Sequence, residues 1–297
     1  MRSVVITGAS TGIGLESCRV CVRHGFHVYG TVRRAADAER VRAELGERFE
    51  PVLCDVTDAE QVRAAAAKVD AALAGETLAG VVNNAGVVVP GPLEHLDVAA
   101  FREQIEINLV APLVVTQAFL PLLGTDAGRH GEPGRIVNIS SVAGRLAAPF
   151  MGAYVASKHA LEGLSVSWRR ELWVHGIDVI VIGPGSVVTP IWDKAERADY
   201  APYRDTVYGR PLERFSELAI RRGRRGLAPE RVAQVVLQAL TARRPKARYA
   251  PVINPLINWH LPRLLPQRFG DQLFARVIGL PRRPGRVGSA GGAKKPR

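Results

Sequence analysis

Cysteine is scarce in this chain: three residues in 297, at Cys18, Cys21 and Cys54. That is too few for a disulfide-stapled scaffold and fits a reducing compartment. Cys18-Arg-Val-Cys21 has the spacing of a metal or redox pair, but it falls inside an expected helix and no second pair follows. The two read as helix-packing thiols, and no metal is expected. Long apolar runs are also missing, so no transmembrane helix is expected. Met1-Arg2 runs directly into the strand-like Ser3-Val4-Val5-Ile6, which leaves no room for a signal peptide. A soluble, cytoplasmic protein is expected. Acidic residues are in deficit, 28 against 40 Lys+Arg, for a net charge of +12. Such an excess points to acidic ligands, nucleic acid or an anionic membrane surface. Much of it is local, at Arg221, Arg222, Arg224 and Arg225 and again at Arg282, Arg283, Arg286, Lys294, Lys295 and Arg297. No finger, helix-turn-helix, RNA-binding signature or basic-aromatic interleaving accompanies these clusters, so no nucleic-acid partner is expected.

What is present is an ordinary globular composition, 47% hydrophobic and 23% charged. Strand-like apolar runs at 4–6, 27–32, 50–54, 80–83, 135–139 and 178–182, with a seventh at 248–252, alternate with amphipathic helical stretches such as 59–74 and 104–122. Strand-helix alternation predicts an α/β fold: one doubly wound parallel sheet of about seven strands with helices on both faces. Ligands then bind beyond the carboxyl ends of the strands. Glycines and turn residues cluster at those ends. The expected organisation is a domain over 1–253, with 190–226 as a substrate lid. An apolar, proline-broken extension at 254–280 packs on it, and a disordered basic tail follows at 281–297.

Thr7-Gly8-Ala9-Ser10-Thr11-Gly12-Ile13-Gly14 follows the first strand and opens the first helix. Glycines there permit a tight turn and close approach to a pyrophosphate, and the helix N-terminus offers N–H groups. The end of the second strand selects the cofactor: a carboxylate would suit NAD, an arginine the 2′-phosphate of NADP. The chain reads Val32-Arg33-Arg34, so Arg33 is assigned to the phosphate and NADP is expected, with NAD as the alternative. Asp55-Val56 ends the third strand, where a carboxylate can meet adenine or simply cap a turn. Asn83-Asn84-Ala85-Gly86 ends the fourth, a small polar turn that lets the backbone pass a flat ring.

Tyr154 and Lys158, four apart, share one face of an expected helix, and Ser141 lies thirteen residues before the tyrosine. An ammonium beside a phenol favours the phenolate and is expected to lower the tyrosine pKa from about 10. A phenol tuned that way can exchange a proton with a carbonyl or an alcohol. Alone, Tyr-x-x-x-Lys is a common accident on helices; its place in a larger order gives it weight.

That order resembles the short-chain dehydrogenase/reductase family, a Rossmann-type fold. The match rests on Thr7 to Gly14, Asp55, Asn83 to Gly86, Asn108, Ser141, Tyr154, Lys158 and Pro184-Gly185-Ser186-Val187-Val188-Thr189, and covers about 1–190. The resemblance implies that Tyr154 is the general acid/base. It implies that Lys158 tunes it and holds the nicotinamide ribose, and that Ser141 binds the substrate oxygen. Asn108, in Glu106-Ile107-Asn108-Leu109, would anchor a water of the proton relay. Thr189 and the Val187 backbone would grip the carboxamide, and Pro184 and Gly185 are counted with the cofactor-binding residues. Homodimers or homotetramers through the helices carrying Asn108 and Tyr154 are implied in the same way.

Within the family the chain looks most like steroid-, retinol- and other lipid-alcohol dehydrogenases. The expected substrate is a small lipophilic alcohol or ketone, lined by Val142, Leu146, Pro149, Phe150, Met151, Val187, Ile191, Trp192, Tyr200, Tyr203 and Tyr208. The alternatives are a 3-oxoacyl-thioester or general carbonyl reductase, whose acidic carrier would meet Arg221 to Arg225, and a non-catalytic NADP-binding regulator. At most weak membrane-surface contact is expected from the apolar extension and basic tail.

Overall fold

The computed structural model describes residues 2–281; the basic tail expected to be disordered lies, from 282 on, outside the described residues. The first half of the chain runs β1 (Ser3–Ile6), α1 (Gly12–Arg23), β2 (His27–Val32), α2 (Ala35–Leu45), β3 (Phe49–Leu53), α3 (Ala59–Leu73), β4 (Gly80–Asn83), α4 (Val98–Ile105) and α5 (Ala111–Phe119). It continues with β5 (Arg135–Ile139), α6 (Gly152–Glu171), β6 (Asp178–Ile182), α7 (Ile191–Glu196), α8 (Gly209–Arg224), α9 (Pro229–Thr241), β7 (Arg248–Tyr249), α10 (Leu261–Leu264) and α11 (Gln267–Ile278).

The strands form one sheet in the order β3-β2-β1-β4-β5-β6-β7, every pairing parallel. Alternate side chains serve opposite faces. Val4 and Ile6 join Cys18, Phe26, Val28, Val232 and Val236 in the core under α1 and α9. Val5 joins Tyr29, Val81, Val115, Phe119 and Trp168 under α3, α5 and α6. Both faces are covered, so the strands are nearly continuous apolar runs, as parallel sheets require. Cys18 and Cys21 are buried packing thiols, and burial pushes Cys21 up to about 12. β1 lies between β2 and β4, so the chain leaves it in opposite directions and opens a crevice at the carboxyl ends.

Three expectations change in detail. The seventh strand is two residues long rather than five: Pro251 has no N–H for a ladder, although its carbonyl still takes the Gly185 N–H at 3.0 Å. The single helix expected over 104–122 is three pieces. α4 and α5 are joined by a widened turn at Glu106–Val110, because Pro112 has no N–H to return to the Asn108 carbonyl. The extension at 254–280 does not bury its apolar residues as expected. Trp259 and Ile278 are inside, while Leu256, Ile257, Leu264, Phe269 and Val277 are exposed.

Candidate active site

β1 delivers the chain to the crevice, and the next residues turn into α1. Gly8 and Gly12 have φ of +68° and +58°, a region L side chains rarely enter. Gly14 answers a close approach: a Cβ there would fall on the Gly8 carbonyl oxygen and the Asn84 amide. Ser10 and Ile13 lie partly exposed in the same turn. Thr11 precedes α1 in an extended conformation without a side-chain cap, and the first turn holds no acidic residue. The leading N–H groups of α1 therefore lack a carboxylate or hydroxyl of their own helix end and suit a phosphate.

Neighbouring loops rivet this cradle. Asn84 Nδ2 donates to the carbonyls of Thr7 and Gly8 at 2.9 and 3.3 Å. The Thr7 hydroxyl accepts the N–H groups of Asn84 and Ala85 at 2.9 and 3.0 Å. Thr31 accepts the Gly8 N–H on its hydroxyl at 3.2 Å and the Ala9 N–H on its carbonyl at 2.9 Å. Across the crevice, a Cβ on Gly12 would stand 3.3 Å from Thr189 Cγ2, so the cradle and the turn after β6 face each other. In that turn Pro184 accepts the Val142 N–H at 2.9 Å. The Val187 carbonyl is taken by the Trp192 indole N–H at 2.7 Å, which ties α7 to the site.

Beyond β2, Arg33 is exposed and makes no ion pair among the described residues. Arg34 Nε lies 2.7 Å from Asp37 Oδ2. Arg40 bridges Asp37 Oδ1 at 3.0 Å and the Ser10 carbonyl at 2.7 Å. Hydrogen bonds from these two guanidinium groups hold the Asp37 carboxyl below the usual range. The nearest carboxylate is thus already neutralised, and Arg33, Arg34 and Arg40 leave a cationic edge beside the cradle. No local pattern singles out Arg40; only the turn from β2 into α2 brings it to Ser10.

Two other nominated side chains have structural tasks. Asp55 Oδ1 accepts from the Thr57 N–H and hydroxyl at 3.0 and 2.8 Å, forming a turn above the buried Val56. Asn83 turns into the interior. Its Nδ2 donates to Thr116 Oγ1 and Asn138 Oδ1 at 3.0 and 2.8 Å, and Asn138 passes the chain to Ser165 at 2.9 Å. The Asn83 side chain thus serves the interior, and only its backbone is left to pass a flat ring, as expected of this turn. Ala85 and Gly86 carry the backbone onward past the site.

Asn108 occupies the widened turn and is fully buried. Its side chain holds Val87 at both backbone groups, accepting from N at 2.8 Å and donating to O at 2.9 Å, and also reaches Ser157 Oγ at 3.1 Å. A Cβ on Gly86 would lie 3.1 Å from Asn108 Oδ1 and 3.8 Å from Lys158 Nζ. The loop after β4, the widened turn and α6 therefore converge. Ser141 follows β5 with its hydroxyl half-buried and accepting the Ala143 N–H at 3.1 Å, whereas Ser140 is buried. Tyr154 and Lys158 stand in the first two turns of α6.

The electrostatics differ from the expected pairing. Lys158 Nζ donates to the Ile139 carbonyl at 2.9 Å and lies 5.8 Å from the Tyr154 ring centroid. Burial pushes the Tyr154 phenol above its ordinary value, the Ser141 hydroxyl pulling the other way. Burial also draws Lys158 down to about 8. With Lys158 turned to the Ile139 carbonyl, desolvation outweighs the Ser141 hydrogen bond, and the phenol moves up where a lowered value was expected.

Behind Ser141 sits a buried carboxylate without any sequence signal. Glu162 accepts from Arg145 Nε at 3.1 Å and Arg248 Nε at 3.0 Å, and Arg248 reaches the Ser141 carbonyl at 3.3 Å. On the open side, Phe150 adopts φ of +64° and packs edge-to-face with Tyr208 and Phe215, centroids 6.2 and 5.7 Å away. Tyr200 and Tyr203 join the same cluster.

Similarity to known proteins accords with this geometry. The family described as short chain dehydrogenase matches residues 2–199. An NADPH-dependent 3-dehydrocapnine reductase of Ornithobacterium rhinotracheale is 35% identical over 278 residues, 94% of this chain and 98% of the relative. Retinol dehydrogenase 5 of Homo sapiens is 32% identical over 290 residues, 94% of this chain and 89% of the relative. Among solved structures, a short-chain dehydrogenase from Streptomyces avermitilis superposes with a TM-score of 0.71 at 25% identity, covering 94% of this chain and 95% of that one.

Proposed function

Since the chain belongs to the short-chain dehydrogenase family and is an oxidoreductase of that family, we propose that it uses NADP to interconvert a lipophilic ketone and its secondary alcohol. The observation that carries this reading is the half-buried Tyr154 phenol beside Ser141, with Lys158 one turn further along α6. A phenol held protonated at neutral pH is ready to give its proton to a ketone oxygen as negative charge builds there. Ser141 is the second donor to that oxygen, and the Arg248 contact to its carbonyl fixes the loop that presents it. Lys158 anchors to the end of β5 through the Ile139 carbonyl, and Asn108 holds the loop after β4 at Val87.

NADP, when bound, supplies the hydride. Gly8, Ser10, Thr11, Gly12, Ile13 and Gly14 would hold its diphosphate and Arg33, with Arg34 and Arg40, its 2′-phosphate. Asp55, Val56, Ala85 and Gly86 would bracket the adenosine and ribose. Pro184, Gly185, Val187 and Thr189 would position the nicotinamide. The cluster of Phe150, Tyr200, Tyr203, Tyr208 and Phe215 supports an apolar substrate. The segment 190–226 acts as its cover. Pairing through the surfaces of α5 and α6 is the proposed oligomer contact.

The test is turnover of NADPH and NADH with a panel of lipophilic ketones, alcohols and carrier-linked 3-oxoacyl esters, with Tyr154→Phe as control. NADPH-driven reduction of ketones, lost by about 10²–10⁴-fold in the variant, is expected. Activity confined to the carrier-linked esters would move the reading to a 3-oxoacyl-thioester reductase. Undiminished activity in the variant would remove Tyr154 from the chemistry.

A further inference from the structure

The segment after β7 exposes residues that its own pattern marks for burial. On α11, Phe269, Leu273 and Val277 recur every four residues, forming one stripe, and are 54%, 47% and 55% exposed. Arg268, Asp271, Gln272 and Arg276 occupy the polar side of the same helix. Ile278 is buried and docks α11 against Leu212 of α8 and Phe150. Upstream, Leu256 and Leu264 are 72% and 80% exposed, with Ile257 and Leu261 between them. This is far more uncovered apolar surface than scattered single residues account for.

Charge identifies the occupant. From residue 254 to the end the sequence holds nine Lys or Arg, one Asp and no Glu. On the described residues an isologous contact with a second copy would set Arg263, Arg268 and Arg276 against their own counterparts with only Asp271 to offset them, and six more cations follow in the sequence. A lipid surface bearing phosphates would instead accept both the apolar stripe and the cations around it. Among the described residues no helix is long and apolar enough to cross a membrane.

We infer that residues 256–277 are an in-plane docking surface for an anionic membrane. Phe269, Leu273 and Val277, with Leu256, Ile257, Leu261 and Leu264, enter the boundary between headgroups and acyl chains. Arg268 and Arg276 meet lipid phosphates. This exceeds the weak contact expected from the sequence, because much of an extension expected to pack on the domain leaves its apolar residues exposed. The surface adjoins the Phe150 cluster, so a lipophilic substrate dissolved in the bilayer has a short path to the site; that corollary rests on the proposed function, whereas docking does not.

The experiment is flotation of the full chain with vesicles of phosphatidylcholine alone and of phosphatidylcholine containing one third phosphatidylglycerol, at low and high salt. The variants are Phe269→Asp with Leu273→Asp, and Arg268→Glu with Arg276→Glu; circular dichroism and NADPH binding confirm that each folds. Expected is partition onto the anionic vesicles, weakened by salt. The Asp pair should weaken it about hundredfold, and the Glu pair, which removes two positive charges and adds two negative ones, by about thirtyfold or more. No flotation, equal flotation with neutral vesicles, or undiminished binding by the Asp pair would overturn the assignment. So would a wild-type dimer, seen by sedimentation without lipid, that the Asp pair converts to monomer. None of these readings depends on turnover, so the docking and the proposed reaction fail separately.

Discussion

Arg248 Nε lies 3.0 Å from the carboxylate of Glu162, which is only 4% exposed, and the same guanidinium packs 4.3 Å from the Trp259 ring centroid. Arg145 approaches that carboxylate from the loop after Ser141 at 3.1 Å. One buried anion thus ties together α6, β7 and the loop that presents Ser141. Glu162→Ala is expected to destabilise the fold by about 1.5–3 kcal/mol, since it leaves the partly buried Arg248 without its carboxylate, while the exposed Arg145 can turn to water. The milder Glu162→Gln should lower kcat while leaving the KM for NADPH unchanged, because the loop it loosens carries Ser141 and not the cradle. Urea unfolding and steady-state kinetics check the two parts; an unchanged kcat in a folded Glu162→Gln protein would free Ser141 from this support.

Lys158 gives a pH signature. Its folded value of about 8 stands against an ordinary 10.5, a gap corresponding to roughly 3 kcal/mol. Between pH 8 and 10.5 the unfolded chain keeps a proton that the folded chain has released, so stability contributed at this group rises with pH across that window. Below pH 8 the full cost is present. Lys158→Met should therefore unfold later than the wild type at pH 7, by about 2 kcal/mol after losing roughly 1 kcal/mol of hydrogen bonding to Ile139. The difference should shrink as the pH rises from 8 to 10.5. Thermal melts of both proteins across that range measure it.

Cofactor choice is testable at the edge of β2. Removing a charge-assisted contact to phosphate costs about 1.5–3 kcal/mol. Arg33→Ala should raise the KM for NADPH roughly ten- to hundredfold and leave the KM for NADH nearly unchanged. Arg40→Ala should act on both cofactors, because Arg40 also holds the Ser10 carbonyl of the cradle. Equal effects of Arg33→Ala on both would take it away from the 2′-phosphate.

The amide ladder from Thr116 through Asn83 and Asn138 to Ser165 is buried throughout. Asn138→Ala should cost about 2–4 kcal/mol, because it strands the polar groups on both sides. The double variant Asn83→Ala with Asn138→Ala should cost less than the sum of the singles, since a partner already removed cannot be stranded again. A denaturation cycle on the four proteins gives the coupling.

Local order in the chain was enough to establish the family, the parallel sheet and the positions of Gly8 to Gly14, Ser141, Tyr154 and Lys158. Each depends on short-range requirements: an apolar run for a strand, a positive φ for Gly8 and Gly12, four-residue spacing on one helix. Such requirements are written in neighbouring residues. The tertiary structure alone decided which groups meet across the fold. It sent the Asn83 amide inward to Asn138, brought Arg40 to Ser10, and placed Glu162 beside Arg248, 86 residues away. It also reversed the expected tyrosine tuning. Desolvation depends on everything packed around Tyr154 and Lys158, and no spacing along the chain encodes that surrounding. For the same reason the sequence showed only an apolar extension at 254–280, and the docking of Ile278 decided that Phe269, Leu273 and Val277 line one outward face of α11.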